Sequence, residues 1–321
     1  MYDVLGLGTA VVDYFAKCDD RELAKLGLVK GASNFYDNAI VQNLIEGISG
    51  KIFMKAAGDN ARNVCEAVAR LGGKPAYASM IGDDREGGFF ESNLKEIGIN
   101  SLLEKTGGKA GTGRIITFIT PDLERTFVVN LGDTPSYSRI LKKEIDGCKY
   151  FFCTSITTAW DTNIAKASVE CMKYAGNHAD NGVAYALESP PLIKKEKDKI
   201  MKIVEQHVDV LFCNRSELAA LTGLNDPHAA IREIEDLVPN ICVKLGKKGS
   251  ILKDEIGDSY EQKVYPAKAV DTTGAGDFYA GGVLYALAQG KTLKEAGDIG
   301  SRIAAKKVEQ FGARLDKSFK L

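Results

Sequence analysis

The 321 residues predict an α/β fold: a three-layer α/β/α sandwich with a mainly parallel central sheet and a small β-sheet lid. Three observations predict it. Short apolar runs alternate with helical periods nearly from end to end, which is the pattern of βαβ units. Right-handed crossovers then place helices on both faces of one sheet. Two stretches, about 14–56 and 102–130, break the rhythm with alternating, turn-punctuated segments.

In chain order, strands are expected at "DVLGLGTAVV", "PAYASMIG", "YFFCTSI", "VAYALE", "DVLFCN" and "ICVKLG". Helices are expected at 61–72, 86–97, 162–177, 194–206, 215–222 and 227–236. The run "GTGRIITFITPDLERTFVVNLGD" reads as two strands joined by a "TPDLE" turn. With "GASNFYDNAI" it suggests a lid, the alternative being a surface extension of the main sheet. The whole chain, 1–321, then forms one domain with the lid as two insertions. The lysine-rich "IKKEKDKIMK" reads as a solvated helix face.

Composition excludes several classes. Hydrophobic residues make up 45% and charged residues 26%, as in ordinary globular proteins. A net charge of −1 points to no nucleic-acid or membrane partner. No apolar run approaches the ~20 residues of a membrane span. The seven cysteines are scattered without a C-x-x-C pair, and most lie in apolar runs, so a reducing cytoplasm is expected. Three histidines without useful spacing argue against a His-based zinc site.

The informative stretch is "DTTGAGDFYAGGVLYAL", Asp271 to Leu287. A Thr-Thr-Gly-Ala-Gly turn entering a helix leaves backbone N–H groups without helical partners, at the positive end of the helix dipole. That is an anion site, fit for a phosphate. Glycine at 274 and 276 removes Cβ atoms that would block approach. Asp277 beside the anion would repel it unless it accepts a proton from an attacking hydroxyl. The plainer alternative is a capped helix with an acidic first turn. Gly281 and Gly282, further in, are expected to let the helix press on a neighbour.

This segment resembles the C-terminal signature of the ribokinase/PfkB family of sugar and nucleoside kinases, D-T-x-G-A-G-D. Asp271, Thr272, Gly274, Ala275, Gly276 and Asp277 match. The resemblance implies a ribokinase-like fold, Asp277 as catalytic base, and an anion hole from the Gly274–Asp277 amides. Four further places match in the family's order, so the likeness covers about residues 3–314. "GLGTAVVD" resembles the first strand, implying that Asp13 binds substrate hydroxyls; many members have Asn where Thr9 stands. "GDNARNVCEAVARLGG" resembles the first signature through Gly58 and Asn63, with Asp59 in the second glycine position, where it could bind another hydroxyl or shift the loop. "NRSELAALTG" resembles the Asn-x-x-Glu motif, implying that Asn214 and Glu217 organise Mg²⁺ through water; the same residues also read as a capping box. "VKLGKKGS" resembles the nucleotide-binding strand and turn, with Gly246 and Gly249, and with Lys244 where Thr is usual.

A narrower likeness is to the adenosine-kinase-like branch. "ERTFVVNLG" resembles its lid strand, with Arg125 and Asn130 matching; Arg125 could neutralise a transferring phosphoryl group or be a solvated strand-edge side chain. "LVKGASNFYD" and "GSRIAAKKVEQFGAR" also look like that branch, implying that Ala304, Ala305, Val308 and the Gly312–Ala313 turn border an adenine. The expected reaction is ATP γ-phosphoryl transfer to a hydroxymethyl group of a sugar or nucleoside. Mg²⁺ and a monovalent cation such as K⁺ are the implied ions. Asp13 and Asn63 would hold the substrate so that one oxygen faces Asp277. The lid aromatics Phe15, Phe35, Tyr36 and Phe118, with Asn34, either stack on a base or form the lid's core. Monomer and homodimer through the lid both remain open.

The alternatives fare worse. "QGKT" at 289–292 mimics the end of a P-loop, but its first glycine falls on Tyr285. "VLGLGTAVVD" suggests a dinucleotide turn, but Val11 stands where the third glycine belongs. A regulatory protein that kept the fold and lost transfer would not need Asp277.

Overall fold

A computed structural model describes residues 1–177, 181–316 and 319. Its strands are β1 (Tyr2–Leu7), β2 (Val11–Lys17), β3 (Ser33–Phe35), β4 (Ile52–Gly58), β5 (Pro75–Gly82), β6 (Asn100–Thr106), β7 (Thr112–Ile119), β8 (Arg125–Gly132), β9 (Cys148–Thr154), β10 (Gly182–Ala186), β11 (Val210–Asn214), β12 (Asn240–Lys244), β13 (Ser250–Lys253) and β14 (Ser259–Gln262). Nine of them form one sheet in the order β14-β13-β12-β11-β10-β9-β1-β5-β6. It is parallel from β6 to β12 and antiparallel only at the β13 and β14 edge.

The strand pattern explains the three layers. Side chains alternate across a sheet, and here both faces are buried. Leu5, Leu7, Phe151, Leu211 and Ile241 pack with the helices Asn163–Gly176, Lys197–His207 and Arg215–Thr222. Val4, Phe152, Phe212 and Cys242 face the opposite layer, the helices Asn60–Arg70, Ala275–Ala288 and Leu293–Val308. All seven cysteines are buried and free. No helix of the described residues is long and apolar enough to cross a membrane.

The second sheet has the order β3-β8-β7-β2-β4, with Phe118, Ile116, Val128 and Val41 in its own core. The segment read as one strand, "DVLGLGTAVV", divides between the two sheets. Gly8 lies at the break, and a Cβ there would stand 2.0 Å from an Asp59 carboxylate oxygen. The small sheet therefore begins at Val11, before residue 14. Residues 100–106, partly assigned to the lid from sequence, are the edge strand β6 of the large sheet. The helix Asn38–Gly47, capped by Asp37, was not expected within the first insertion. The stretch 194–206 is divided between Pro190–Lys195 and Lys197–His207.

The paired glycines of the Ala275–Ala288 helix have separate partners. A Cβ on Gly281 would lie 2.5 Å from both the Ala67 side chain and the Val64 carbonyl. One on Gly282 would lie 2.8 Å from Gly300 Cα and from Ile303. The helix is thus wedged between its two layer neighbours, and this fixes where its N-terminus points.

Candidate active site

The carboxyl ends of β9, β10, β11 and β12 converge on the start of the Ala275–Ala288 helix, as ligand crevices do in α/β sheets. Gly274 is the N-cap, with φ of 74°. A Cβ there would stand 2.6 Å from Ala313. Within the turn, Ala275 N–H donates to Thr272 O and Asp277 N–H to Gly274 O. The Gly274 and Gly276 amides have no protein acceptor among the described residues. Of the four amides expected to form an anion hole, two are therefore free and two are spent on shaping the turn.

Asp277 lines a cavity of about 190 Å³ with Asn60, Glu188, Asn214, Glu217 and Lys244. Asn63 Nδ2 donates to one carboxylate oxygen at 2.9 Å and Asn60 Nδ2 to the other at 3.3 Å. Burial pushes the Asp277 carboxyl up to about 6, against the Asn63 bond and the nearby Lys244. Glu188 is pushed well up by burial and by the Asp277 and Glu217 charges. Glu217 is raised by burial and opposed by Lys244. Lys244 extends along the turn: its Nζ lies 2.9 Å from where a Gly276 Cβ would be.

Asn214 and Glu217 do form a capping box, through Glu217 N–H to Asn214 Oδ1 at 2.9 Å and Asn214 N–H to Glu217 Oε2 at 2.7 Å. The box sets the pair at the wall of the cavity, so capping and site placement are one arrangement. Gly246 and Gly249 carry the left-handed turn after β12, with φ of 59° and 96°. Thr272 is exposed and Ala305 half-buried at the same end.

Asp13 opens elsewhere, onto a neighbouring cleft of about 1010 Å³ between the two sheets, lined also by Phe15, Met54, Phe311, Gly312 and Ala313. Its carboxyl has no protein hydrogen bond among the described residues, and burial raises it to about 7 against the pull of Arg62. A Cβ on Gly58 would fall 2.1 Å from that carboxyl, so the glycine makes its room. Asp13 and Asp277 thus face adjoining cavities and not a single one. Asn63 stands between them: Arg62 Nη1 holds its Oδ1 at 2.9 Å and turns its Nδ2 toward Asp277.

Three expected ligands are occupied by the protein. Asp59 accepts from Thr9 N–H and Oγ1, from Arg62 N–H and from the Tyr77 hydroxyl. Both its oxygens are filled, which makes it the helix cap that clasps β1 and leaves none for a substrate. Asn130 donates to Tyr36 O and accepts from Gly132 N–H, tying the small sheet internally. Arg125 pairs with Asp271 at 2.7 Å and does not stand free to meet a phosphoryl group. Burial alone would raise Asp271, but Thr273, Gly312 and Arg125 outweigh it and hold the carboxyl well below the usual range. Arg125 joins the small sheet to the signature turn. Because Asp271 keeps its other donors, Arg125→Met is expected to cost only about 1 kcal/mol, measured by urea unfolding.

Among the aromatics, Phe118 is core and Phe35 is exposed against Trp160, with ring centroids 6.3 Å apart. Phe15 reaches the cleft, stacked edge-on to Phe311 at 5.9 Å.

The sequence matches the description "pfkB family carbohydrate kinase" over residues 31–319. The chain belongs to the pfkB family. It is similar to an uncharacterized sugar kinase of Archaeoglobus fulgidus, 31% identical over 258 residues, covering 77% of this chain and 96% of that one. It is also similar to the ribokinase of Haemophilus influenzae, 26% identical, covering 84% and 86%. Among solved structures, an adenosine kinase from Sinorhizobium meliloti superposes with a TM-score of 0.87 at 28% identity, covering 98% of this chain and 95% of that one. A probable sugar kinase from Rhizobium etli gives 0.88 at 27%, with the same coverage. As a pfkB kinase, the protein is a phosphotransferase with an alcohol group as acceptor.

Sequence reasoning about this pfkB chain missed Asn60, Arg62 and Glu188. Asn60 lay inside a quoted motif and could have been found from its place on the helix's first turn. Glu188 read as the last residue of a strand, and only the β10 terminus shows that it closes the small cavity.

Proposed function

We propose that this pfkB kinase transfers the ATP γ-phosphoryl group to a hydroxymethyl oxygen of a nucleoside, with Asp277 as the base. The observation that carries the reading is Asp277 itself. It is a carboxylate raised to about 6, held by two asparagines, one residue from a free amide at a helix N-terminus. In the proposed step the hydroxymethyl oxygen attacks the γ-phosphorus in line, the bond to the ADP oxygen breaks, and the proton passes to Asp277. The Gly274 and Gly276 amides and Lys244 face the negative charge that moves through the turn.

The same cavity suits a divalent cation. Glu188 Oε1 is a buried oxygen without a partner, beside Glu217 and Asp277. Among the described residues no group of three or more His, Cys, Asp and Glu could hold a metal directly, so Glu188 and Glu217 would hold Mg²⁺ through water. Bound there, Mg²⁺ supplies neutralisation of the phosphate charge.

A nucleoside is favoured over a free sugar by the cleft: its volume of about 1010 Å³ and its Phe15 and Phe311 rings leave an apolar wall for a base beyond Asp13. A thermal-shift screen with a non-hydrolysable ATP analogue present tests this. Nucleosides are expected to raise Tm and hexoses or pentoses to leave it unchanged; the reverse order would refute the nucleoside.

A further inference from the structure

Lys307 is a buried lysine to which the transfer step assigns no part. It stands in the last turn of the Leu293–Val308 helix and has no exposed surface, whereas its neighbour Lys306 is exposed and pairs with Glu309 at 3.3 Å. Burying an ammonium is costly unless it is bonded and charge-compensated, and an apolar side chain would fill the space without that cost. The Lys307 Nζ donates to the Asp271 carbonyl oxygen at 2.8 Å. The next residue completes the clamp: Val308 O accepts from Asp271 N–H at 3.1 Å and from Val270 N–H at 2.7 Å. Both backbone groups of Asp271 are thus held by one helix end. Its carboxylate is held by Thr273, Gly312 and Arg125.

The Asp271 carbonyl belongs to the peptide from which the Thr272–Gly276 turn leaves. Fixing it fixes the direction of the turn's free amides. The ammonium also places a positive charge behind the turn: burial lowers its pKa to about 8, opposed by the Asp271 and Asp277 carboxylates and reinforced by Arg125. We propose that Lys307 is a positioning residue of the phosphoryl site: its buried ammonium orients the Thr272–Gly276 turn and offsets the charge of the γ-phosphoryl group. The inference rests on the kinase reading above, and its test uses binding so that the two can fail separately.

The experiment measures calorimetric Kd values for a non-hydrolysable ATP analogue and for ADP, in wild type and in Lys307→Met, Lys307→Arg and Lys307→Ala. Lys307→Met keeps length and volume and loses the charge together with the hydrogen bond to the Asp271 carbonyl. The expected result is at least a tenfold weaker Kd for the ATP analogue and less than a twofold change for ADP. In Lys307→Ala, added methylammonium is expected to restore most of the loss. Lys307→Arg, bulkier but still charged, is expected to bind the analogue better than Lys307→Met; this comparison also decides the matter if one variant folds poorly. Equal losses for both nucleotides, no loss in either, or Lys307→Met at least as good as Lys307→Arg would show a packing role and overturn the proposal. Wild-type protein that binds neither nucleotide would instead defeat the kinase reading.

Discussion

Asp277→Asn is expected to lower the rate of phosphoryl transfer by about 10²–10⁴-fold, the usual share of a general base, with Kd for both substrates nearly unchanged. An amide keeps the shape and can still accept from Asn63 or Asn60, but it cannot take a proton. The variant is expected to be no less stable than wild type. The Asp277 carboxyl lies near 6 when folded, against about 3.9 in an unfolded chain. The folded state binds its proton more tightly, so ionised Asp277 weighs against folding as pH rises through that window and above it. The amide removes that burden. The same value sets the pH profile: wild-type kcat/KM should climb through about pH 6 and level off above, because the base works only when ionised. A Tm at or above wild type together with a lost rate separates chemistry from folding.

The second large effect is on the scaffold. Gly281→Val is expected to destabilise by about 3 kcal/mol or more, and to reduce soluble yield, since overpacking and backbone displacement both apply. The first added carbon already meets Ala67 and the Val64 carbonyl at 2.5 Å, and a backbone atom cannot swing aside. The displaced helix is the one whose N-terminus carries Gly274 and Asp277, so whatever folds should also bind ATP more weakly. Chemical denaturation measures the first effect and nucleotide titration the second. Stability within 1 kcal/mol of wild type would mean that the helix layer is looser than the packing implies.

The large sheet was legible because buried parallel strands read as plain apolar runs, and β9, β10, β11 and β12 all fall where "YFFCTSI", "VAYALE", "DVLFCN" and "ICVKLG" are. Less visible was the division of "DVLGLGTAVV". Apolar character continues across Gly8 and Thr9, while the turn between the sheets depends on Asp59, fifty residues away in sequence. Edge strands β6 and β14 carry polar and charged residues and give weak patterns, and β13 is only four residues long. In the site, residues fixed by the local backbone were readable: the Gly274 cap, Asp277 in the first helical turn, and the Asn214–Glu217 box. Partners brought in from distant segments were not. Arg125 on Asp271, Lys307 on the Asp271 carbonyl and the four donors on Asp59 follow from tertiary packing, to which a motif is blind. Asp59 illustrates the cost of reading by position: in a glycine's place it looks like an extra ligand, yet its φ of 148° and its filled oxygens make it a clasp.

The most direct test of the central claim is ³¹P NMR of wild-type protein and Asp277→Asn incubated with ATP, Mg²⁺ and a nucleoside mixture. The account predicts that wild type consumes the γ-phosphate resonance and builds a phosphomonoester resonance in equal amount, while Asp277→Asn leaves ATP intact. A phosphomonoester formed equally fast by both proteins, or ATP turned only into ADP and inorganic phosphate, would contradict it.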